Sequence, residues 1–228
     1  MTNSHALPFV AAIDGPAGAG KSTVARGLAA RLGYTFLDTG ALYRSVALIA
    51  RRKQIDWNDA ARLGELARAL DVVFTSGGES ARVLADGSDV TDEIRGTEIS
   101  EGASRVSALP EVRDGLLEIQ RRVASKASVV AEGRDIGTVV FPAAQAKFFL
   151  VANPETRARR RTLELRSAGS PAIFEQVLAE MLARDARDSG RAVAPLRRAG
   201  DAIEIDSSGL TPEEVMERMM AVVRARGG

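Results

Sequence analysis

Eight consecutive residues constrain this chain more than any others: Gly15-Pro16-Ala17-Gly18-Ala19-Gly20-Lys21-Ser22. They lie between an apolar run, Phe9 to Ile13, and a stretch in which Val24, Ala25, Leu28, Ala29 and Leu32 recur at helical spacing. A buried parallel strand, a glycine-rich turn and an amphipathic helix are therefore predicted in that order. Glycines at 15, 18 and 20 let the backbone curl so that successive N–H groups point inward, and the following helix adds the positive end of its dipole. This is the pattern of a phosphate-binding P-loop in the context the motif requires, and a plain strand-to-helix connection would not need the closing Lys-Ser pair. Gly15, Pro16, Ala17, Gly18, Ala19, Gly20, Lys21, Ser22 and Thr23 are expected to wrap the phosphates of a nucleotide. Lys21 would reach the β- and γ-phosphates, and the Ser22 hydroxyl would hold a bridging Mg²⁺.

The rest of the chain alternates strands with helices. Tyr34 to Leu37 reads as a second strand, with Asp38 and Thr39 as capping oxygens for a helix from about Gly40 to Arg52. Asp59 to Leu70 reads as another helix. The character changes from Asp71 to about Ile94, where short strand-like runs and an Asp86-Gly87 turn predict a small β insertion without a helical crossover. Helices resume after Thr97 and break at Pro110; Val129 to Ala131, Lys147 to Val151 and Ala202 to Ile205 read as further strands. Asn153-Pro154-Glu155 and Thr211-Pro212-Glu213-Glu214 open helices with caps. The expectation is an α/β P-loop three-layer sandwich around a five-stranded parallel sheet.

At 228 residues the chain suits one main domain with a small appendage. Its formal charge of +1 provides no field to draw a large polyanion, so anion binding has to be local. Only Lys21, Lys53, Lys126 and Lys147 are lysines, so arginine, a planar fork suited to phosphate, carries most of the positive charge. Genomic base composition is an equal explanation of that bias. Without cysteine there is neither a disulfide framework nor a thiolate metal site. No run is long enough for a membrane span, and a cytoplasmic monomer is expected. His5, the single histidine, falls in a polar tail expected to be idle.

In a parallel sheet of this kind ligands bind beyond the carboxyl ends of the strands. That rule selects Asp38, Thr39, Gly40, Tyr43 and Arg44 after the second strand, and Gly133-Arg134-Asp135 after the third. On a helix Gly40, Tyr43 and Arg44 share a face that could present a guanidinium and a phenol to an acceptor phosphate. Arg184, Asp188 and Arg191 share another face late in the chain, as do Arg157, Arg160 and Arg161. Such guanidinium density suits phosphoryl transfer, whose transition state spreads negative charge over several oxygens. For Arg157 to Arg161, a solvated face paired with Glu155 and Glu164 is an equally good reading. Asp185 and Arg187 read as surface charges.

Taken together, IDGPAGAGKST, FLDTGALYR, VAEGRDIGTVVFP and RDARDSGRAVAPL resemble the bacterial-type cytidylate kinases over nearly the whole chain. The resemblance implies transfer of the γ-phosphoryl group of ATP to CMP, and to dCMP. It implies a core of residues 1–70 and 111–228, a lid at about 157–171, and a CMP-binding insertion at 71–110. Arg134 and Arg44 would hold the acceptor phosphate near Thr39 and Tyr43. Asp135, Ser104 and Arg113 would read the cytosine, and Arg184 and Asp188 the ribose. Arg191 and a lid arginine, Arg161 being the candidate, would join Lys21 and Arg134 at the transferring group. Another small P-loop kinase, of the adenylate or shikimate type, is disfavoured by the β insertion and the Gly-Arg-Asp segment. A guanine-nucleotide switch lacks an Asn-Lys-x-Asp sequence. The RARRRTLELR run lacks the interleaved aromatics of a nucleic-acid site.

Overall fold

A computed structural model describes residues 8–75 and 82–228. The tail with His5, and Ala81 in the expected second strand of the insertion, lie outside the described residues. Five parallel strands form the central sheet: β1 (Val10–Asp14), β2 (Thr35–Asp38), β6 (Val129–Gly133), β7 (Ala146–Val151) and β8 (Ile203–Asp206). Their order across the sheet is β2-β6-β1-β7-β8. The parallel register sets Asp14 opposite Gly133 and Asp38 opposite Glu132, so polar residues gather at one end of an apolar sheet.

Alternation of side chains divides the core between the two faces. Ala11, Ile13, Val130, Phe148 and Leu150 pack with Val24 and Leu28 of α1 (Lys21–Leu32) and with Val215 and Met219 of α8 (Pro212–Ala225). Ala12, Leu37, Val129 and Ala131 pack on the other face, with Ala124 of α5 (Pro110–Lys126). The expected three layers are present. Thr211 opens α8 with a full capping box, and the side chain of Asn153 caps α6 (Pro154–Ser167).

The insertion forms a separate antiparallel sheet of β3 (Val72–Phe74), β4 (Val83–Ala85) and β5 (Ser88–Asp89). Asp86 and Gly87 both take positive φ, 47° and 76°, as a two-residue hairpin joining right-twisted strands requires. Its buried side chains do not make a core of their own. Val83, Ala85, Val90 and Ile94 join one cluster with α2 (Thr39–Arg52), α3 (Ala60–Ala69) and α4 (Thr97–Val106).

Two local features depart from the sequence reading. The strands at β1 and β6 run on into charged residues, Asp14 and Glu132, because parallel pairing continues past the apolar run. After Asp135 the chain makes a single π-helical turn, Ile136–Val140, for which no helical period was visible. The helices that follow β7, α6 and α7 (Phe174–Gly190), pack as a hairpin over Ala158, Val177 and Met181, with Ala17 of the glycine-rich loop against them.

Candidate active site

The loop before α1 is shaped by its neighbours. Gly15 has φ 149°, and a Cβ there would lie 2.0 Å from the Leu150 carbonyl oxygen, so no other residue fits. Gly18, also at positive φ, leaves no space for a side chain between Met181 and Arg157. Lys21 is buried and its Nζ donates to the Pro16 carbonyl at 2.7 Å, spanning the loop from inside. Burial, followed by the positive charges of Arg134 and Arg184, pushes its pKa down to about 7, against the opposing pull of Glu132 and Asp14. Ser22 and Thr23 are exposed.

Beneath the loop lies a strut absent from the sequence reading. Arg157 is buried, and its guanidinium donates to the carbonyls of Ala17 and Ala152, each at 3.0 Å, and pairs with Asp185 at 2.6 Å. Asp185 is therefore not a surface charge: the pairing of α6 with α7 turns it inward onto Arg157. Arg160 donates to Ser207, and Arg161, still partly exposed, pairs with Glu164 at 3.2 Å. The three arginines of one helix thus have three different environments. Arg187 is exposed, as expected.

Across the crevice the predicted acceptor residues converge. Asp38 caps α2 through Ala41 N–H and pairs with Arg44 at 2.8 Å. The Thr39 hydroxyl donates to the Glu132 carbonyl at 2.6 Å, fixing β2 to β6 at their ends. Arg134 Nε pairs with Asp188 at 2.8 Å, and Arg113 with Asp135, both members of the latter pair being buried. Asp135 is raised above the ordinary carboxylate value by burial against the pull of Arg113, whereas Asp188 is lowered because Arg134 and Arg184 outweigh its burial. Tyr43 is buried in the apolar cluster, its phenol pushed up to about 12 by burial, with Arg113 lying over its ring at 5.7 Å. It packs beneath Arg113, and Arg113, Asp135 and Arg191 are the charges that act on its phenol. Arg191 donates to the Ser107 hydroxyl at 3.3 Å.

Many polar atoms around this crevice are buried without a partner: Arg44 Nε, Ser104 Oγ, Arg184 Nε, and Nε and Nη2 of Arg191. Orphaned buried donors are costly, and a cluster of them marks a site whose ligand completes the hydrogen bonding. Between α4 and α7 a cleft of ≈ 490 Å³ is lined by Ser104, Asp188 and Arg191. A second cavity, of ≈ 420 Å³ and lined by Lys147, Arg197 and Arg198, holds none of the predicted residues. Donors that are cationic, buried and unpaired suit a phosphorylated ligand, and the neighbouring carboxylates suit hydroxyl and amino groups.

Two carboxylates at the strand ends were not among the predicted site residues. Asp14 and Glu132 are buried, and burial pushes both up to about 6. The sequence signal was there: an acid closing an otherwise apolar strand. Glu132 lies beside Ser22 and has its Oε1 buried without a partner. A hydroxyl beside a carboxylate is a hard oxygen donor set, which fits Mg²⁺ bound largely through phosphate and water. Among the described residues no group of three or more His, Cys, Asp or Glu could hold a metal unaided.

The chain is similar to known proteins along nearly all of its length. The family model described as cytidylate kinase matches residues 11–225. A cytidylate kinase of Geobacter sp. (strain M21) is 53% identical over 95% of this chain and 93% of its own length. One from Geobacter sulfurreducens is 51% identical over 96% and 94%, and one from Solibacter usitatus 49% identical over 99% and 97%. With a family match over nearly all of its length and close relatives that align end to end, the chain belongs to the cytidylate kinase family.

Proposed function

We propose that the protein transfers the γ-phosphoryl group of ATP to CMP, and to dCMP, giving CDP or dCDP and ADP. One observation carries this reading: a P-loop with a buried lysine faces a pocket of incompletely paired guanidinium groups, Arg44, Arg184 and Arg191, with Arg134 held beside them by Asp188, across a single crevice. An oxygen of the CMP phosphate forms the new bond to the γ-phosphorus as the bond to the bridging β–γ oxygen breaks, and ADP leaves. The nucleophile is already an anion, so no general base is required. Lys21 exchanges Pro16 for the β- and γ-oxygens. Arg44 and Arg134 hold the acceptor phosphate, while Arg191 and Arg161 neutralise charge on the transferring group. Asp188, released by Arg134, accepts from the ribose with Arg184 beside it. Asp135, Arg113 and Ser104 present an acceptor, a donor and a hydroxyl to the edge of cytosine.

Ser22, with Glu132, would hold Mg²⁺, which when bound neutralises phosphate charge and fixes its orientation. Residues 71–110 form the CMP-binding element of a core made by 1–70 and 111–228. The lid comprises the part of 157–171 beyond the anchored first turn of α6. Closure of both over the substrates excludes water before transfer. The protein acts as a cytoplasmic monomer on small molecules alone; no described helix is long and apolar enough to cross a membrane.

A coupled assay with ATP and Mg²⁺ across CMP, dCMP, UMP, AMP and shikimate tests this reading. ADP should form with the cytidine monophosphates foremost, and Arg134→Ala should lower kcat by about 100-fold or more while leaving ATP affinity intact. ADP release with AMP or shikimate but not CMP would overturn it.

A further inference from the structure

Asp14 ends β1, and the glycine-rich loop begins at the next residue, yet its carboxylate turns to the opposite half of the crevice. Oδ1 accepts from Ile136 N–H at 2.7 Å and Oδ2 from Gly137 N–H at 2.8 Å. These are the first two amides of the π-helical turn, and Asp135 occupies the capping position before them. A capping aspartate ordinarily accepts with its own side chain from the second or third amide of the turn, here Gly137 or Thr138. Here Asp135 makes no cap hydrogen bond, and its carboxylate reaches away to Arg113. The backbone carbonyl of Asp135 closes the turn instead, accepting from Val139 and Val140 at 2.8 and 3.2 Å.

Two carboxylates thus compete in principle for the buried amide of Gly137, and the one from β1 holds it together with that of Ile136. We infer that Asp14 is a specificity-positioning residue: by capping the turn in place of Asp135, it frees the Asp135 carboxylate to read the acceptor base. Burial of Asp14 is otherwise hard to account for, because desolvation raises its carboxyl to about 6 and its hydrogen-bond donors are Ile136 and Gly137, with none from the glycine-rich loop. The arrangement also joins the two halves of the crevice, since one residue ends the donor strand and sets the acceptor turn.

The inference rests on the assignment of Asp135 to the base, so the experiment has two arms, each comparing kcat/KM for CMP and UMP and KM for ATP. Asp135→Ala tests the assignment. Asp14→Asn tests the inference: the amide matches the carboxylate in shape but can satisfy only one of the two N–H groups, which draws Asp135 back to cap its own turn. Losing one charge-assisted contact to the base should lower the CMP over UMP preference by about tenfold, with KM for ATP changed less than about twofold. Asp14→Ser, whose single hydroxyl stops one bond short of the carboxylate oxygens, should act in the same direction. If Asp135→Ala leaves the preference intact, the assignment of Asp135 falls and the inference with it. If Asp135→Ala abolishes the preference and the Asp14 variants keep it, or move both substrates equally, the inference alone falls. Failure of both Asp14 variants to fold would make the residue a folding requirement and overturn the inference as well.

Discussion

Asp14 carries a charge that its surroundings resist. The folded carboxyl sits at about 6 against 3.8 in an unfolded chain, with burial as the main cause and the nearby Asp135 adding to it, opposed by two N–H donors and Lys21. A carboxyl raised in this way favours the fold only while protonated. Its contribution is complete below 3.8 and is lost as pH rises through 6. Glu132, raised to about 6 from 4.5, has the same sign. Asp188 works the other way, since its lowered value stabilises the fold above 3.8 and is lost in acid. The urea midpoint of the ligand-free protein should therefore fall between about pH 5 and pH 7, with Asp14 accounting for roughly 1 kcal/mol of the change. Asp14→Asn should flatten that slope without abolishing it; a wild-type midpoint that rises over the same interval would contradict the burial argument.

The pairing of α6 with α7 decides which arginines are structural. From its place in the helix, Arg157 is indistinguishable from Arg161. One is locked under the glycine-rich loop by two carbonyls and Asp185, and the other is free to turn toward the crevice. Truncating Arg157 to alanine removes three hydrogen-bonded contacts and leaves Asp185 largely uncompensated, at a cost of about 3 kcal/mol. Because Ala17 loses its support, KM for ATP should rise more than KM for CMP. Arg161→Ala should leave the denaturation midpoint within about 0.5 kcal/mol of wild type, as a partly exposed i,i+3 pair allows, and act on kcat instead. Equal destabilisation by both substitutions, measured by urea denaturation, would remove the distinction.

For the molecule as a whole, the crevice is arranged as an anion site before the anion arrives. Asp38 and Asp188 hold Arg44 and Arg134 in the ligand-free protein, while Arg184 and Arg191 keep buried N–H groups without partners. Such a site destabilises the empty fold, and a phosphate should stabilise it well. At a hundredfold excess over Kd, CMP should add about 2.7 kcal/mol and raise Tm by roughly 5–10 °C. Cytidine at the same concentration lacks the group these arginines await and should shift Tm by less than a third as much, on the order of 2 °C. Thermal unfolding with each ligand gives the comparison, and equal shifts would show that the guanidinium cluster is not the acceptor-phosphate site.

The sequence by itself determined the strand-loop-helix unit around Gly15 to Ser22, the five parallel strands and the caps at Asn153 and Thr211. Each rests on spacing along the chain and on local backbone chemistry, and both are written in consecutive residues. The arginines and carboxylates of the crevice were readable as candidates because they follow strand ends. Tertiary structure alone decided their partners: Asp14 with Ile136 and Gly137, Arg157 with Asp185, and Tyr43 beneath Arg113. These contacts join residues from different elements, so which charge is buried, and therefore which pKa moves, depends on packing that no local pattern encodes. The insertion was visible as short strands, but its sharing of a core with α2 to α4 appears only once those elements pack together.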